Sequence, residues 1–320
     1  MSSLPSIGIS ALAYRLPARR VGLAELGRAG RLESSPAMLR GLGFRSCYVH
    51  DERDGFDELV LDAGREVLRT AAVDPGEIGG LFLYRGLGAW TPGRRPGSAH
   101  GVLPLFRYPV ARLAAELGCP HARALTLSEQ GCSGLFSAIE LAWAQLQTSS
   151  PDAILCLAAD RLPAGGQREV TFNLMSDGAG ALLLQRGAER NRVLSVHQLS
   201  EAGYWDTPRY QHELIAAYFP MAERAITGAL ERAGLRLADI RWFVPANVSH
   251  RSWTILADLL GLPLDRVFTD NITRVGHTVS CDLIINLADM ERRGLLRPGD
   301  RLLAFTFGFG ASWSTLILEH

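Results

Sequence analysis

The sequence predicts an α/β protein built from two similar halves, each with a mainly parallel sheet. Strand-forming apolar runs alternate with stretches of helical periodicity along the chain, a pattern typical of strand–helix–strand units. The second half repeats the first. The segment Leu-Ala-x-x-Leu-Gly-x-Pro occurs at 113–120 and again at 256–263, and each copy precedes a strand that ends in a glycine turn. Two such halves are expected to pack about a pseudo-two-fold axis, with boundaries at 1–190 and 191–320.

The first half contains most of the predicted elements. The helix over 57–72 follows from apolar residues at helical spacing, and the strands follow from short buried runs bounded by Gly, Pro and Asp. In chain order we expect a strand over 7–14, a short helix within 22–45, a helix over 57–72 and a strand over 81–84. A helix over 110–117, a strand from 125 to the turn at 130–131 and a helix to about 147 follow, and then strands over 153–158, 177–184 and 193–197. The Gly/Pro/Arg-rich segment 85–104 is long for a connection within a compact domain, so it is either functional or mobile.

The second half follows the same order. A helix over 222–234 and a strand over 242–245 echo the first helix–strand pair, and a helix over 283–293 and a strand over 301–305 close the chain. Residues 199–212 show no readable pattern. Together with 85–104, this segment is expected to shape the substrate tunnel.

Composition excludes several classes of protein. The 320 residues are 47% hydrophobic with a formal net charge of zero, so neither nucleic acid nor a membrane surface is an expected partner. No apolar run reaches the roughly 20 residues of a membrane helix, and the N-terminus shows no secretion signal. Five cysteines without a CxxC pair argue against disulfides or zinc, so we expect no metal, no cofactor and a cytoplasmic location. All 33 basic residues are arginines, which excludes a lysine nucleophile.

Cys132 is the strongest candidate for a catalytic residue. It follows a predicted strand and the turn Gln130-Gly131, and it opens a helical pattern. At a helix N-terminus the macrodipole favours the thiolate, and backbone N–H groups of the turn can face an oxyanion. The alternative, a small apolar core cysteine, is less compatible with the Gly-Cys-Ser-Gly setting.

His277 stands at the matching position of the second repeat. The segment that ends at Gly276-His277 corresponds to the one that ends at Gly131-Cys132. Equivalent turns of two halves related by a pseudo-two-fold axis meet at the centre, so the repeat predicts a Cys–His pair. The alternative for His277 is a turn histidine that caps a helix.

Six short motifs occur in a specific order: 131–134 (Gly-Cys-Ser-Gly), 177–181 (Asp-Gly-Ala-Gly-Ala), 243–245 (Phe-Val-Pro), 270–276 (Asp-Asn-Ile-Thr-Arg-Val-Gly), 297–300 (Arg-Pro-Gly-Asp) and 308–313 (Gly-Phe-Gly-Ala-Ser-Trp). Over nearly the whole chain they resemble the thiolase superfamily, specifically its ketoacyl-ACP synthase III branch. The resemblance implies a five-layer αβαβα fold of two related halves, a homodimer, and a cysteine that takes an acyl group from acyl carrier protein or coenzyme A.

Two positions depart from the condensing members of that family. The condensing members carry a catalytic histidine after the Phe-Val-Pro strand and a catalytic asparagine after the later glycine. In this chain the two positions hold Ala246 and His277. In the family that pair stabilises the enolate left when malonyl-ACP loses carbon dioxide. A lost donor of this kind costs about 2.7–4 kcal/mol of barrier, so decarboxylative condensation is disfavoured. Acyltransferases of the branch that make esters of natural-product intermediates resemble this pattern, with His at the Asn position and an Asp nearby.

Asp282 is the candidate Asp. It is expected to orient His277, although a residue five positions along a regular helix lies off the same face, so the alternative is a solvated helix carboxylate. The resemblance also places Asn247 and Ser249 at the site as substrate- or pantetheine-binding residues, with plain loop residues as the alternative. His250 is a rival for the missing histidine, but a helix over 248–255 would point it elsewhere.

The loop Gly308-Phe309-Gly310 is expected to bring backbone N–H groups to an oxyanion hole beside the Cys132 N–H; the alternative is a tight turn between strands. The Asp177-Gly-Ala-Gly segment enters a strand and lacks GxGxxG spacing, so we interpret it as close packing.

Arginines are the candidate contacts for a phosphopantetheine arm or an acidic carrier protein, with solvated surface charges as the alternative. They are Arg94, Arg95, Arg161, Arg168 and Arg251. Arg251 is favoured because it matches an arginine that the family uses at the tunnel mouth. No tryptophan lies within 32–48 to stack on adenine, which favours acyl carrier protein over coenzyme A as the donor.

The leading hypothesis is an acyltransferase that loads Cys132 and passes the acyl group to a hydroxyl or amine acceptor in natural-product biosynthesis. Two alternatives stay open: a decarboxylative 3-oxoacyl-ACP synthase III that uses His250 or His277, and a catalytically inactive homologue that acts as a partner protein.

Overall fold

The structure is a computed structural model that describes residues 6–51, 55–87, 106–148 and 151–320. The predicted segment 85–104, with Arg94 and Arg95, lies largely outside these residues. The described part is the expected α/β fold. Its strands are β1 (Ile7–Arg15), β2 (Arg20–Gly22), β3 (Ser46–Tyr48), β4 (Gly80–Arg85), β5 (Arg123–Ser128), β6 (Ala153–Asp160), β7 (Glu169–Val170), β8 (Asn173–Leu174), β9 (Gly178–Arg186), β10 (Arg192–Ser200), β11 (Trp242–Pro245), β12 (Arg301–Gly308) and β13 (Ser312–Glu319).

The helices agree in order with the repeat read from the sequence. They are α1 (Leu23–Arg28), α2 (Pro36–Gly41), α3 (Phe56–Ala71), α4 (Pro109–Glu116), α5 (Gly134–Thr148), α6 (Gln211–Ala233), α7 (His250–Leu260), α8 (Asp270–Arg274) and α9 (Asp282–Arg292). Helix α6 begins well before the expected residue 222 and includes Pro220. A proline removes only one backbone hydrogen bond of the helix, and packing carries α6 through it. No helix in the described ranges is long and apolar enough to cross a membrane.

The main sheet is mixed, not mainly parallel as expected. Within the described residues it has nine strands in the order β11-β12-β13-β10-β1-β9-β6-β4-β5. Only β4–β5, β4–β6 and β11–β12 pair in parallel. The three residues between β12 and β13 are too few for a parallel crossover, so these strands form an antiparallel hairpin.

Helices α5 and α9 lie in the central layer. Alternate residues of β6 divide between two cores: Ile154 and Cys156 pack with α5 and α9, whereas Leu155 and Leu157 pack with α3 and α4. Strand β12 alternates in the same way, with Leu302 and Ala304 against the central helices and Leu303 and Phe305 against α6 and α7. The resulting order of layers is α3/α4, strands, α5/α9, strands, α6/α7. The N-terminal ends of α5 and α9 are therefore brought together at the centre.

Candidate active site

Cys132 lies in a short 3₁₀ turn that runs directly into α5. Strand β5 ends at Ser128, and the chain then reverses through left-handed backbone at Glu129 (φ 67°) and Gly131 (φ 52°) before the turn over Gly131–Ser133. The first N–H groups of a helix have no acceptor within the helix, and they carry its positive end. Cys132 is half-buried.

His277 is held by its backbone on both sides. Its N–H donates to the carbonyl of Leu174 at 2.9 Å, and its carbonyl accepts from the N–H of Ser176 at 2.7 Å. The residue is 4% exposed. These contacts tie the second-half turn to the strand entry of the first half, and they fix where the imidazole can reach.

The two turns meet. Nε2 of His277 lies 3.0 Å from Sγ of Cys132, and Nδ1 lies 2.5 Å from Oδ2 of Asp282. Because a carboxylate only accepts, Nδ1 carries a proton and Nε2 faces the sulfur. The structure thus joins Cys132, His277 and Asp282 in one hydrogen-bonded chain.

The geometric objection to Asp282 was wrong. It assumed a helix from 277 to 282, but α9 begins only at Asp282. Val279 has φ 58°, so the chain turns between His277 and the helix, and the Asp282 side chain points back. At 3% exposure Asp282 is also not a solvated carboxylate.

Four donors surround the Asp282 carboxylate. Besides His277, the N–H and hydroxyl of Thr278 contact Oδ1 at 2.8 and 2.6 Å, and the N–H of Asn247 contacts Oδ2 at 2.6 Å. Hydrogen bonds to the charged form favour it. Burial alone raises the pKa of Asp282, but the His277 charge and these donors outweigh it and hold the pKa below its ordinary value.

The pKa of His277 lies well above its ordinary value. Burial opposes the charged imidazolium, but the neighbouring Cys132 and Asp282 charges outweigh this opposition. Imidazolium paired with the Asp282 carboxylate is therefore the favoured form of His277.

Val279 adds backbone strain beside the pair. A β-branched residue in left-handed backbone costs about 1–3 kcal/mol and persists only where its surroundings impose it. Here the hydrogen bonds of His277 and Asp282 on either side fix the turn.

The loop Gly308-Phe309-Gly310 packs closely against the cysteine turn. A Cβ built on Gly131 would lie 2.8 Å from the Phe309 nitrogen, and one built on Gly308 would lie 2.1 Å from the Gln130 carbonyl oxygen. Both glycines are therefore required for the close approach of two backbones. The N–H of Phe309 lies beside Gly131, which is where an oxyanion donor is expected, whereas Gly310 is exposed at the tip.

A small cavity adjoins Cys132 and Ala246. It measures about 10 Å³ and is also lined by Asp282, Phe305 and Thr306. This is room for roughly one water. The methyl side chain of Ala246 offers this cavity no hydrogen-bond donor.

The other expected site residues differ in their surroundings. Asn247 is 1% exposed, and neither atom of its side-chain amide has a hydrogen-bond partner among the described residues. Ser249 caps α7 by accepting from the Ser252 N–H, so its hydroxyl has a local role. Arg251 is exposed at the N-terminal end of α7. The ring of His250 packs on Gly43, where a Cβ would lie 2.5 Å from the imidazole carbon Cδ2.

Arg168 is not available to a carrier protein. Its guanidinium and the Asp177 carboxylate are both fully buried and form an ion pair at 2.5 Å. Asp177 also accepts the N–H groups of His50 and Leu162, which confirms a structural role for this segment. Arg161 lies over the Phe56 ring, with its carbon Cζ 5.7 Å from the centroid.

Thr278 and Tyr84 contact the site without having been predicted. The Thr278 hydroxyl binds Asp282, and the Tyr84 hydroxyl donates to the Gly131 carbonyl. Neither residue belongs to a recognisable spacing. Within the described ranges, no three His, Cys, Asp or Glu side chains converge as a metal would require.

Comparisons with known proteins agree with this architecture. Residues 128–202 match the family model 3-Oxoacyl-[acyl-carrier-protein (ACP)] synthase III, and residues 230–320 match the model of its C-terminal part. Beta-ketoacyl-[acyl-carrier-protein] synthase III 2 of Streptomyces coelicolor is 31% identical over 81% of this chain and 77% of its own length. The chain therefore belongs to the 3-oxoacyl-ACP synthase III family and is a transferase of that family.

Solved structures show the same fold. The 3-oxoacyl-[acyl-carrier-protein] synthase III of Aquifex aeolicus VF5 superposes with a TM-score of 0.83 at 21% identity, over 98% of this chain and all of the other. ChlB3, described as an acyltransferase, superposes with a TM-score of 0.81 at 22% identity, over 98% of both chains. Their likeness places this chain in the thiolase-like fold.

Proposed function

We propose that this protein is an acyltransferase that loads an acyl group onto Cys132 and transfers it to a hydroxyl or amine acceptor in natural-product biosynthesis. The observation that carries the proposal is the chain Cys132–His277–Asp282, with Ala246 where a second catalytic imidazole stands in condensing relatives. This set can activate a nucleophile but offers one imidazole in place of two donors.

In the loading step, the Cys132 thiolate attacks the carbonyl carbon of an acyl thioester. The carbonyl oxygen becomes an oxyanion, which the N–H groups of Cys132 and Phe309 stabilise. The carbon–sulfur bond to the carrier then breaks, and the His277 imidazolium gives its proton to the leaving thiolate. Asp282 holds the ring so that Nε2 faces the reacting sulfur throughout.

Loading itself prepares His277 for the second step. The thiolate charge of Cys132 is one of the two charges that raise the pKa of His277, and acylation removes it. The pKa of His277 therefore falls, and neutral imidazole accepts the proton of the incoming hydroxyl or amine. The acceptor attacks the acyl-cysteine, Cys132 leaves as thiolate, and the ester or amide departs.

Decarboxylative condensation is the second candidate because relatives of this family carry it out. It requires donors for the enolate of a decarboxylating malonyl group. Ala246 supplies none, and His277 is already engaged with Cys132 and Asp282. The vacant space beside Ala246 is too small for a second imidazole without rearrangement. A catalytically inactive partner protein is the third candidate, and an intact Cys–His–Asp chain argues against it.

Intact mass spectrometry after incubation with a panel of acyl carrier proteins tests the proposal. An acyl adduct is expected on the wild type and not on Cys132→Ala. Cys281→Ala is the matched control, because this second cysteine is fully buried away from solvent. No adduct on the wild type across the panel would rule out the proposed function.

Acyl carrier protein is the proposed donor and partner. The relatives of this family are named for it, and Arg251 offers an exposed cation at the start of α7, which begins four residues after Ala246. A carrier protein is acidic, so the loading rate is expected to fall with salt and with Arg251→Ala. Equal loading from acyl-coenzyme A would contradict the preference.

Replacing Asp282 with asparagine is expected to lower the pKa of His277, because one of its two raising charges is removed. Since the folded-state pKa is raised, the wild-type pair stabilises the fold fully below about pH 6.5 and loses this contribution as pH rises through the raised value. Histidine NMR titration measures the midpoint, with the exposed Asp258→Asn as the matched control. An unchanged His277 midpoint in Asp282→Asn would contradict the assignment.

We also propose a homodimer formed through β5. Among the described residues, this strand lies at the edge of the main sheet and pairs only with β4, and it leaves Thr126 exposed. Pairing of two β5 edges about a two-fold axis would remove both edges. Thr126→Asp places like charges near the axis, and is expected to raise the dimer dissociation constant by at least about tenfold. Light scattering across dilution measures it, with Thr254→Asp on α7 as control; a monomeric wild type would refute the proposal.

A further inference from the structure

Tyr84 lies directly beneath the cysteine turn. It is fully buried on β4, and its hydroxyl donates to the carbonyl oxygen of Gly131 at 2.5 Å. Its ring lies against the start of α5: a Cβ built on Gly134 would be 1.9 Å from the ring carbon Cε2. Glycine at position 134 is thus what allows the tyrosine to reach the turn.

The bonded carbonyl belongs to a peptide unit that matters for chemistry. The carbonyl of Gly131 and the N–H of Cys132 are the two ends of one planar peptide group, and this group is trans. In a trans peptide the C=O and N–H point in opposite directions. Fixing the carbonyl toward Tyr84 therefore also fixes the direction of the Cys132 N–H, which points away from Tyr84.

The backbone of Gly86 also borders this carbonyl. A Cβ built on Gly86 would lie 2.5 Å from the same oxygen, so the Gly86 backbone closes a second side. Burial raises the pKa of Tyr84, which keeps the phenol protonated and able to donate. A donor at the carbonyl also polarises the N–H of the same peptide, because hydrogen bonds in a chain strengthen one another.

We propose that Tyr84 is a positioning residue for the oxyanion site: its hydroxyl fixes and polarises the Gly131–Cys132 peptide so that the Cys132 N–H faces the oxyanion. This inference rests on the proposed function, because it requires Cys132 to accept an acyl group from a thioester. Tyr84 touches neither the substrate nor the sulfur, and it acts through one peptide bond.

Two reactions of the same sulfur separate this role from a structural one. Loading from an acyl carrier protein builds an oxyanion, whereas alkylation by iodoacetamide uses the Cys132–His277 pair and builds none. In Tyr84→Phe, the loading rate at saturating donor is expected to fall about 3- to 10-fold, the equivalent of one hydrogen bond. The donor concentration for half-maximal rate and the alkylation rate are expected to stay within about twofold of the wild type. Tyr14→Phe is the matched control. Tyr14 lies on β1, and its hydroxyl donates to the Asp289 carboxylate on α9.

The outcomes are distinct. Unchanged loading in Tyr84→Phe would overturn the inference, and so would an equal fall in loading and alkylation, which indicates a displaced cysteine turn. Loading that is absent from the wild type itself would overturn the proposed function, and this inference with it. A selective loss of loading, with unchanged alkylation and an unchanged melting temperature relative to Tyr14→Phe, is the supporting result.

Discussion

Replacing His277 with alanine is expected to slow acyl loading of Cys132 by about 10²- to 10⁴-fold, the usual contribution of a positioned acid–base group. The variant loses the ring whose Nε2 lies 3.0 Å from Sγ of Cys132 and which, in the proposed loading step, protonates the leaving thiolate. Stopped-flow loading from an acyl carrier protein, followed by intact mass, measures the rate. Iodoacetamide alkylation of Cys132 is expected to slow as well, because the pair that favours the thiolate is gone.

His250→Ala is the matched control for this experiment. It removes the other histidine near the Phe-Val-Pro strand, whose ring packs on Gly43. The loading rate of this variant is expected to stay near that of the wild type. A large loss in His250→Ala with an active His277→Ala would instead assign the chemistry to His250 and favour the condensing alternative.

Gly308→Ala is expected to have the second-largest effect. The new Cβ would lie 2.1 Å from the Gln130 carbonyl oxygen and 2.6 Å from the Ser133 hydroxyl, so the loop must move away from the cysteine turn. Loss of one oxyanion donor costs about 10²- to 10³-fold in rate, and the overpacking costs about 1–3 kcal/mol of stability. Loading kinetics and thermal unfolding measure the two effects.

Gly203→Ala provides the comparison for Gly308→Ala. A Cβ on Gly203 meets no atom within 4 Å, so neither loading nor stability is expected to change. If Gly308→Ala lost stability but loaded at the wild-type rate, the loop would be structural and would not contribute to an oxyanion hole.

The repeat was the strongest signal in the sequence. It predicted that the turns of Cys132 and His277 lie together, because equivalent turns of two similar halves face each other, and the 3.0 Å contact agrees. The fold class was also confirmed, because alternating strands and helices leave few other arrangements. The catalytic roles of these residues stay predictions.

The geometry of Asp282 could not be predicted from spacing. Its side chain reaches His277 because Val279 adopts left-handed backbone, which the sequence does not favour for a β-branched residue. Tertiary hydrogen bonds impose that turn. The contact of Tyr84 was missed for a similar reason, since it arises only where a separate strand meets the cysteine turn.

Arg168 was predicted as a contact for a carrier protein or a phosphopantetheine arm, but the structure buries it. A chain without lysine has many arginines, and nothing local distinguishes a surface guanidinium from one that pairs with Asp177. The distinction depends on which loop covers the ion pair. The same holds for Ser249, which the family position placed at the site and which the structure uses to cap α7.

The central claim is that Cys132 relays an intact acyl group without decarboxylation. Carbon dioxide release from carboxyl-labelled malonyl carrier protein, measured in the same sample in which acyl-Cys132 is quantified by intact mass, tests it most directly. The account predicts a stoichiometric acyl adduct and no release above the rate without enzyme. Stoichiometric carbon dioxide release, coupled to loss of the adduct and formation of a 3-oxoacyl product, would contradict it.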